Sequence, residues 1–309
     1  MSMIDYDRRM LADRVRNDAF AAALRSVIVP GITTVSDIGA GTGFLSFLAA
    51  RLGAKACIGY EFSPIIRVAR ELAKENALAQ CRFVEEHTSE VPSPEQTDVV
   101  VTETFGNFLT EEHLVENLQD AQRCVKPGGV IIPGRITQYA CPIVSPRHFD
   151  EITAWRMVGH GLTFAAAEQY SLNNMYVRDV RPDDLWGEPA AYDTIVASED
   201  LASRRKAEVR FVAERDRTVY GAAVWWEAEL VPDVILSTSP HDPPTHWQQI
   251  VLPVLEPIAL RKGDALRLRI VSDTRLTVGL RVGWNFAVLR DGREVLTQDL
   301  DLRRGRVEE

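Results

Sequence analysis

The sequence predicts an α/β fold: a parallel sheet covered on both faces by helices, followed by an antiparallel β-barrel. Three observations predict it. Strand-like apolar runs alternate with helical stretches as far as Pro133, a glycine-rich turn follows the first of these runs, and two-residue alternation dominates the rest of the chain. Alternating strands and helices indicate a parallel sheet, whereas strands that follow one another with turns between them indicate antiparallel pairing.

The first half begins with apolar positions at helical spacing, which predict an amphipathic helix from Asp7 to about Ser26. Five strands then follow, at Val35–Ile38, Ala56–Tyr60, Arg82–Glu85, Asp98–Thr102 and Val130–Ile132. The helices between them are predicted at Phe44–Arg51, Pro64–Asn76 and Glu111–Val125. The stretch Lys126–Gly129 contains proline and two glycines, so it should end the last helix and turn into the fifth strand.

The second half shows the alternation of half-buried strands, at Glu208–Val212, Thr218–Leu230, Ala265–Val271 and Leu276–Val282. The segment Leu162–Trp186 interrupts this pattern and is expected to project from the barrel as an arm. The predicted domains are residues 1–26 as a helix over the cofactor site, 27–135 as the cofactor-binding domain and 136–309 as the barrel, with the arm at about 162–186.

Composition narrows the classes of function. The formal net charge of -9 opposes nucleic-acid binding and favours a cationic partner. No apolar run is long enough to span a membrane and no signal peptide is recognisable, so a cytoplasmic protein is expected. The four cysteines stand singly without metal-ligand spacing, so we expect reduced thiols and no bound metal.

The turn after the first strand predicts a cofactor site. Gly39, Gly41 and Gly43 form a Gly-x-Gly-x-Gly pattern that lacks the spacing of dinucleotide-binding folds. Asp37, just before the turn, would repel phosphate and suits a cofactor with an amino group and a sulfonium. Glu61 closes the second strand, where a carboxylate can accept both ribose hydroxyls. A glycine turn alone is also an ordinary strand-to-helix connection, but the combination indicates a Rossmann-like site for S-adenosylmethionine.

Three further motifs lie in separate parts of the chain. Glu103 and Glu112 stand nine apart on a loop after the fourth strand, with Gly106 three positions after the first. The tripeptide Thr245-His246-Trp247 lies far downstream, and Met-Leu-x-Asp-x-Val-Arg runs from Met10 to Arg16. In this order the motifs resemble those of the protein arginine methyltransferases, from Met10 to about Val288.

The resemblance implies site residues. Arg16 would hold the cofactor carboxylate, Glu61 its ribose, and His246 would pair with Asp13 as part of the catalytic group with Glu103 and Glu112. The family's adenine-binding acid aligns with Ser89, so Thr88 and Ser89 are expected near the adenine. Acceptor contacts are expected from Met10, Asn107, Glu111 and Trp247. The family also implies a homodimer, in which the arm docks on the partner's cofactor domain.

Physical chemistry supports the paired glutamates. A guanidinium is planar, cationic and rich in donors, so two carboxylates match it in shape and charge. Each residue also has a structural interpretation. Asp13 and Arg16 could be an exposed ion pair, Glu111 and Glu112 ordinary first-turn residues, and Trp247 part of the barrel core.

The sequence leaves the acceptor open. We expect a methyltransferase acting on free L-arginine or a small arginine-like metabolite. Only five of the 35 basic residues are lysine, a bias typical of the GC-rich genomes of bacteria, in which specialised metabolism is expected. In the family's double-glutamate loop, Asn107 and Glu111 stand where relatives carry an aromatic pair, at positions that could set acceptor selectivity. A peptide arginine is the alternative. A cofactor-binding scaffold without turnover is a more remote one, and a methyltransferase for a hydroxyl would leave the second glutamate unexplained.

Overall fold

The computed structural model of the chain describes residues 8–199 and 201–306. Its first half is a parallel sheet of five strands: β1 Thr34–Ile38, β2 Ala56–Tyr60, β3 Cys81–Val84, β4 Thr97–Thr102 and β5 Val125–Ile132. The strand order is β3-β2-β1-β4-β5. The order reverses beside β1, so the carboxyl ends of β1 and β4 open the crevice where such sheets bind ligands.

Four helices accompany this sheet: α1 Arg14–Val27, α2 Phe44–Arg51, α3 Ile66–Glu75 and α4 Leu114–Cys124. These elements confirm the predicted alternation to within a few residues at each end. The stretch Lys126–Gly129 differs from its prediction, because it lies inside β5 as an irregularity. Pairing with β4 jumps from Val125 to Val130, and Gly128 takes a φ of +78°.

The predicted first helix is divided. Asp7 lies outside the described residues, and the helical turn at residues 8–11 stops before Asp13. Asp13 has an extended backbone, and its Oδ1 accepts the backbone N–H of Arg16 at 3.1 Å. It is therefore the N-cap of α1, which is why the helix starts anew there.

The second half consists of two antiparallel sheets. Its strands are β6 Arg135–Ile143, β7 Tyr176–Arg178, β8 Ala190–Val196, β9 Arg204–Val212, β10 Arg217–Val231, β11 Val234–Ser237, β12 Gln249–Leu260, β13 Ala265–Asp273, β14 Arg281–Arg290 and β15 Arg293–Asp301. The first sheet has the order β7-β12-β10-β6-β8, with β11 beside β10, and the second has β15-β14-β13-β9. The inward side chains of both sheets share one apolar core, which confirms the predicted antiparallel barrel-like half.

The predicted strand Leu276–Val282 is wrong for most of its length. Residues 276–278 form a turn, and β14 begins only at Arg281. The Arg275 side chain donates a hydrogen bond to the Asp273 carboxylate at 2.8 Å. The backbone carbonyl of Arg275 accepts the N–H groups of residues 278 and 279. These local bonds stop the ladder where alternation alone suggested that it continues.

The arm in the structure is shorter than the predicted segment Leu162–Trp186, and it starts earlier in the sequence. Helices α5 Arg147–Ile152 and α6 Ala165–Leu172 carry the chain out and back. From Leu172 onward the segment returns to the barrel, because β7 pairs with β12 and the side chain of Trp186 is buried in the barrel core. We therefore call residues 154–171 the arm. Its exposed apolar side chains are Trp155, Met157, Val158, Leu162, Phe164 and Tyr170.

The two halves share a second apolar core. Phe105, which follows β4, packs edge-on against Trp226 of β10 with 4.9 Å between ring centroids, and Trp226 packs in the same way on Trp247. The indole N–H of Trp247 donates to the carbonyl of Phe105 at 2.6 Å. The loop after β4 is thus fixed to the barrel. Within the described part of the chain, no helix is long and apolar enough to span a membrane.

Candidate active site

The glycine turn after β1 forms one wall of a cavity of about 340 Å³ at the carboxyl ends of β1, β2 and β4, a size typical of small-molecule sites. Gly39 and Gly41 line it with φ values of +73° and +53°. A Cβ on Gly39 would lie 2.8 Å from the Thr104 methyl. Gly43 does not line the cavity. It begins α2, where a Cβ would collide with Phe47 and Phe83.

Glu61 is held by the backbone around it. Its Oε2 accepts the N–H of Gly41 at 3.0 Å, and its Oε1 accepts the N–H of Ser63 at 2.7 Å. The carboxylate lines the cavity and is largely buried. Each oxygen has further lone pairs, so Glu61 can still accept hydroxyl donors from a ligand.

Asp37 lines the same cavity and is fully buried. Its Oδ2 accepts the N–H of Ser46 at 3.0 Å and the Ser46 hydroxyl at 2.8 Å. Burial raises the pKa of this carboxyl to about 6, although the bonds from Ser46 and the charge of Arg16 oppose the rise. Asp37 thus ties the start of α2 to β1 besides facing the cavity.

The adenine prediction is only partly correct. Thr88 lines the cavity, but Ser89 is exposed and lies outside its wall. Ser89 lies in a short 3₁₀ helix, and its backbone N–H donates to Nδ1 of the N-cap residue His87 at 3.2 Å. Glu86 and His87 line the cavity instead, because they lie in the loop just after the end of β3.

Glu103 and Glu112 line one cavity together with Arg16, as the motif spacing predicted. Oε2 of Glu103 accepts from Nε of Arg16 at 2.8 Å and also contacts Nη2 of the same guanidinium. Both side chains of this pair are almost fully buried. The Arg16 guanidinium also lies 5.7 Å from the ring centroids of Phe20 and Phe44. Arg16 therefore faces the cavity while it fixes one oxygen of Glu103.

The predicted pair of His246 and Asp13 is present. Oδ2 of Asp13 accepts the backbone N–H of His246 at 2.8 Å and contacts the ring Nδ1 at 2.9 Å. Burial alone would raise the pKa of Asp13, but the bonds from His246 and from the Arg16 N–H hold it below its usual range. An ionised Asp13 keeps the proton on Nδ1. Nε2 of His246 is buried without a partner among the described residues, and neither residue belongs to the cavity wall.

Three of the four predicted acceptor contacts lie outside the cavity. The Asn107 amide donates to the Trp247 carbonyl, and Oε1 of Glu111 accepts the N–H of Asn107 at 2.8 Å. Trp247 is 1% exposed and belongs to the shared core. These side chains brace the loop between Glu103 and Glu112, and burial raises the pKa of Glu111. Met10 does line the cavity.

Several cavity residues carried no motif in the sequence. His113 adopts a left-handed φ of +59° directly after Glu112, and its Nδ1 is buried without a partner among the described residues. Asn117 donates to the Thr104 hydroxyl at 3.0 Å. The lining side chains missed from the sequence are Asn117, Phe44, Tyr60, Phe62, Glu86 and His87. The rule that ligands gather at strand ends could have found those that follow β2 and β3.

Comparison with known proteins matches two family models to this chain, a methyltransferase domain over residues 35–129 and an arginine methyltransferase oligomerization subdomain over residues 135–281. The chain belongs to the protein arginine methyltransferase family. One relative is the probable protein arginine N-methyltransferase 3 of Arabidopsis thaliana, 29% identical over 84% of this chain and 48% of its own length. This arginine methyltransferase chain therefore spans about half of that relative. The probable protein arginine N-methyltransferase 6.1 of Oryza sativa subsp. indica is 27% identical over 86% of this chain and 80% of its own.

Solved structures show the same fold for this arginine methyltransferase chain. The Trypanosoma brucei PRMT1 enzyme-prozyme heterotetrameric complex with AdoHcy has a TM-score of 0.84 at 23% identity, covering 96% of this chain and 98% of its counterpart. Arabidopsis thaliana protein arginine methyltransferase 10 has a TM-score of 0.81 at 21% identity, covering 97% and 98%. The likeness spans both the parallel sheet and the barrel.

Proposed function

We propose that this chain transfers a methyl group from S-adenosylmethionine to a guanidino nitrogen of an arginine in a protein or peptide. The observation that carries the proposal is a single cavity that joins the glycine turn and Glu61 to both Glu103 and Glu112. A cofactor site and an acidic acceptor site share one space, so a methyl group can pass directly between them.

The donor set fits S-adenosylmethionine, which supplies an activated methyl group on its sulfonium. Glu61 offers carboxylate oxygens for ribose hydroxyls. Arg16 places a cation at the cavity wall for the cofactor's carboxylate, and the backbone of Gly39 and Gly41 allows close approach. Glu86 and His87 are the residues we assign to the adenine end, in place of Ser89.

The acceptor is held by charge and shape. A guanidinium between Glu103 and Glu112 satisfies two carboxylates that would otherwise repel each other in a partly dry site. Arg16 fixes one oxygen of Glu103, so that carboxylate is oriented before the acceptor enters. With two guanidinium nitrogens held, the remaining one is free to attack, and most of the rate enhancement comes from positioning and electrostatics.

We assign removal of the proton to His246. Asp13 holds its Nδ1, which leaves Nε2 as the basic nitrogen. Nε2 has no partner among the described residues, and because His246 lies outside the cavity wall, we assign the transfer of the proton to an intervening water.

The relatives favour a peptide acceptor over free arginine. Those compared above are named protein arginine N-methyltransferases, and none of these names indicates a free amino acid. Asn107 and Glu111, which suggested altered acceptor selectivity, instead brace the loop, and this removes the main structural argument for a small metabolite.

The test is direct competition. Labelled S-adenosylmethionine is supplied with free L-arginine, an arginine-rich peptide and total cell protein together, and the products are separated by mass spectrometry. We expect label in peptide and protein with a far higher kcat/KM than for free arginine. Preferential labelling of free L-arginine would refute the acceptor assignment while leaving the reaction intact.

We further propose that the chain forms a homodimer through its arm. Six apolar side chains are exposed on residues 154–171, and Met157 is 83% exposed. An apolar surface of this kind is normally covered by a partner. The oligomerization subdomain model covers this segment.

Light scattering tests the arm. The double variant Met157→Glu with Leu162→Glu should halve the mass, whereas Val295→Glu, a matched change at an exposed apolar residue of β15, should not. An unchanged mass in the arm variant would contradict the proposed interface.

A further inference from the structure

Two cysteines that are far apart in the sequence are direct neighbours in the sheet. Cys57 of β2 and Cys81 of β3 are register partners in adjacent parallel strands, so their side chains lie on the same face of the sheet. Adjacent strands lie about 4.8 Å apart, and disulfides span Cα distances of roughly 4.4–6.8 Å. Both thiols are free, yet the backbone already lies within the range that a disulfide needs.

The two thiols differ in reactivity. Cys57 is 1% exposed, whereas Cys81 is half-buried and lines a surface groove with Arg70 and Lys74. The neighbouring Cys81 thiol raises the pKa of Cys57, and burial raises it further. The Cys57 thiol lowers the pKa of Cys81, against the effect of burial. Cys81 is therefore the accessible nucleophile, and Cys57 is the buried thiol that can resolve it.

This pair is connected to the cofactor cavity through one residue. Sγ of Cys81 donates to the Ser46 carbonyl at 3.6 Å. The N–H and hydroxyl of the same Ser46 donate to Asp37, which lines the cavity. Cys81 therefore contacts the first turn of α2, which directly follows the glycine turn.

We propose that Cys57 and Cys81 form a redox-active dithiol that a peroxide oxidises to a disulfide, and that the disulfide weakens cofactor binding. The Cys81 thiolate attacks one peroxide oxygen, the O–O bond breaks, and a sulfenic acid forms as the other oxygen leaves and becomes water. The Cys57 sulfur then attacks the sulfenic sulfur, and the displaced hydroxide takes the Cys57 proton and leaves as water. The two sulfurs lose two electrons, and the peroxide gains them.

Oxidation removes a donor beneath the cofactor site. A disulfide has no S–H, so the Ser46 carbonyl loses its bond from Cys81 and the first turn of α2 can shift. A net hydrogen bond contributes about 1 kcal/mol, so we expect affinity to fall by about tenfold at most. The part of the proposal that concerns the cofactor rests on the proposed function, whereas the disulfide does not.

The experiment treats the full chain with hydrogen peroxide and maps disulfides by peptide mass spectrometry without reduction. Binding of S-adenosylhomocysteine is measured by calorimetry before oxidation, after it, and after reduction with dithiothreitol. Cys81→Ser and Cys57→Ala are the test variants. Cys141→Ser is the matched control, because this buried thiol donates to the Trp186 carbonyl in the barrel, and thermal melts establish that each variant is folded.

We expect a Cys57–Cys81 disulfide in the wild type and in Cys141→Ser, with a reversible loss of affinity, and neither effect in the two test variants. Oxidation that stops at a sulfenic or sulfinic Cys81, or that pairs other cysteines, would overturn the dithiol. A mapped disulfide with unchanged affinity would overturn its effect on the cofactor. If the reduced wild type fails to bind S-adenosylhomocysteine, the proposed function is wrong, and the mapping still decides the dithiol.

Discussion

The loop between the paired glutamates offers a sharp test, the substitution Gly106→Ala. A Cβ at this position would lie 2.1 Å from Cγ of Glu111 and 2.8 Å from its Oε1. Carbon atoms in contact are normally separated by about 3.5–4.0 Å. The Glu111 side chain must therefore move by more than about 1 Å to reach an ordinary van der Waals separation from the new Cβ. This movement breaks the 2.8 Å hydrogen bond that its Oε1 accepts from the Asn107 N–H.

The expected loss follows from that bond. A partly buried N–H left without its acceptor costs about 1–3 kcal/mol, so Gly106→Ala should lower the free energy of unfolding by about 2 kcal/mol. Turnover should fall by about tenfold or more, because Glu103 and Glu112 stand at the two ends of the disturbed loop and depend on positioning.

Denaturant unfolding and initial methyl-transfer rates measure both effects in a double-mutant cycle. Glu111→Ala loses the same hydrogen bond but relieves the contact, so the double variant should be no less stable than Glu111→Ala alone. Glu111→Gln keeps an oxygen acceptor and serves as the control with near-normal stability. Additive losses in the double variant would refute the assignment of the cost to the Glu111 contact.

Three further predictions concern single residues. Glu112→Gln should remove most turnover while S-adenosylhomocysteine affinity measured by calorimetry stays near the wild-type value, because its role is to hold the acceptor; near-normal turnover would contradict that role. Glu61→Ala should weaken S-adenosylhomocysteine binding by about tenfold or more, since a carboxylate bonded to hydroxyls contributes about 1.5–3 kcal/mol, and unchanged affinity would exclude the ribose contact. Asp37 has a folded pKa of about 6 against an ordinary value of 3.8, so between these values the folded state keeps a proton that the unfolded state has lost. Stability should therefore fall as pH rises from about 4 to 7, by up to about 3 kcal/mol, and urea titrations should show that Asp37→Asn removes this part of the pH dependence; an identical slope in the variant would contradict it.

Much of the fold could be predicted from periodicity. The parallel strands and α2 follow from apolar runs that change from strand to helix spacing, and the structure reproduces them closely. Leu276–Val282 could not be predicted correctly, because Arg275 and Asp273 stop the strand by local bonds that leave the alternation unchanged. The predicted arm begins and ends too far along the sequence for a similar reason. The apolar residues after Leu172 pack into the barrel, and a sequence does not show which apolar surface meets which.

The site was predictable where chemistry forces residue type. Paired carboxylates, a glycine turn and an acid after β2 came from the motifs, and the structure brings them to one cavity. Asn107 and Glu111 were assigned to the acceptor because they differ from relatives, but their side chains turn inward to brace the loop. The Cys57–Cys81 pair depends on strand register, which the sequence does not state.

The aromatic contacts of Phe105 with Trp226 and Trp247 set a limit on how this protein can be divided or recombined. The chain changes from parallel to antiparallel structure at Arg135, which suggests a domain boundary at this residue. Yet the loop that carries both glutamates packs on two tryptophans that belong to the barrel, beyond that boundary. A chimaera that exchanges the barrel must keep equivalents of both tryptophans, because otherwise the loop that carries the glutamates has nothing to pack against.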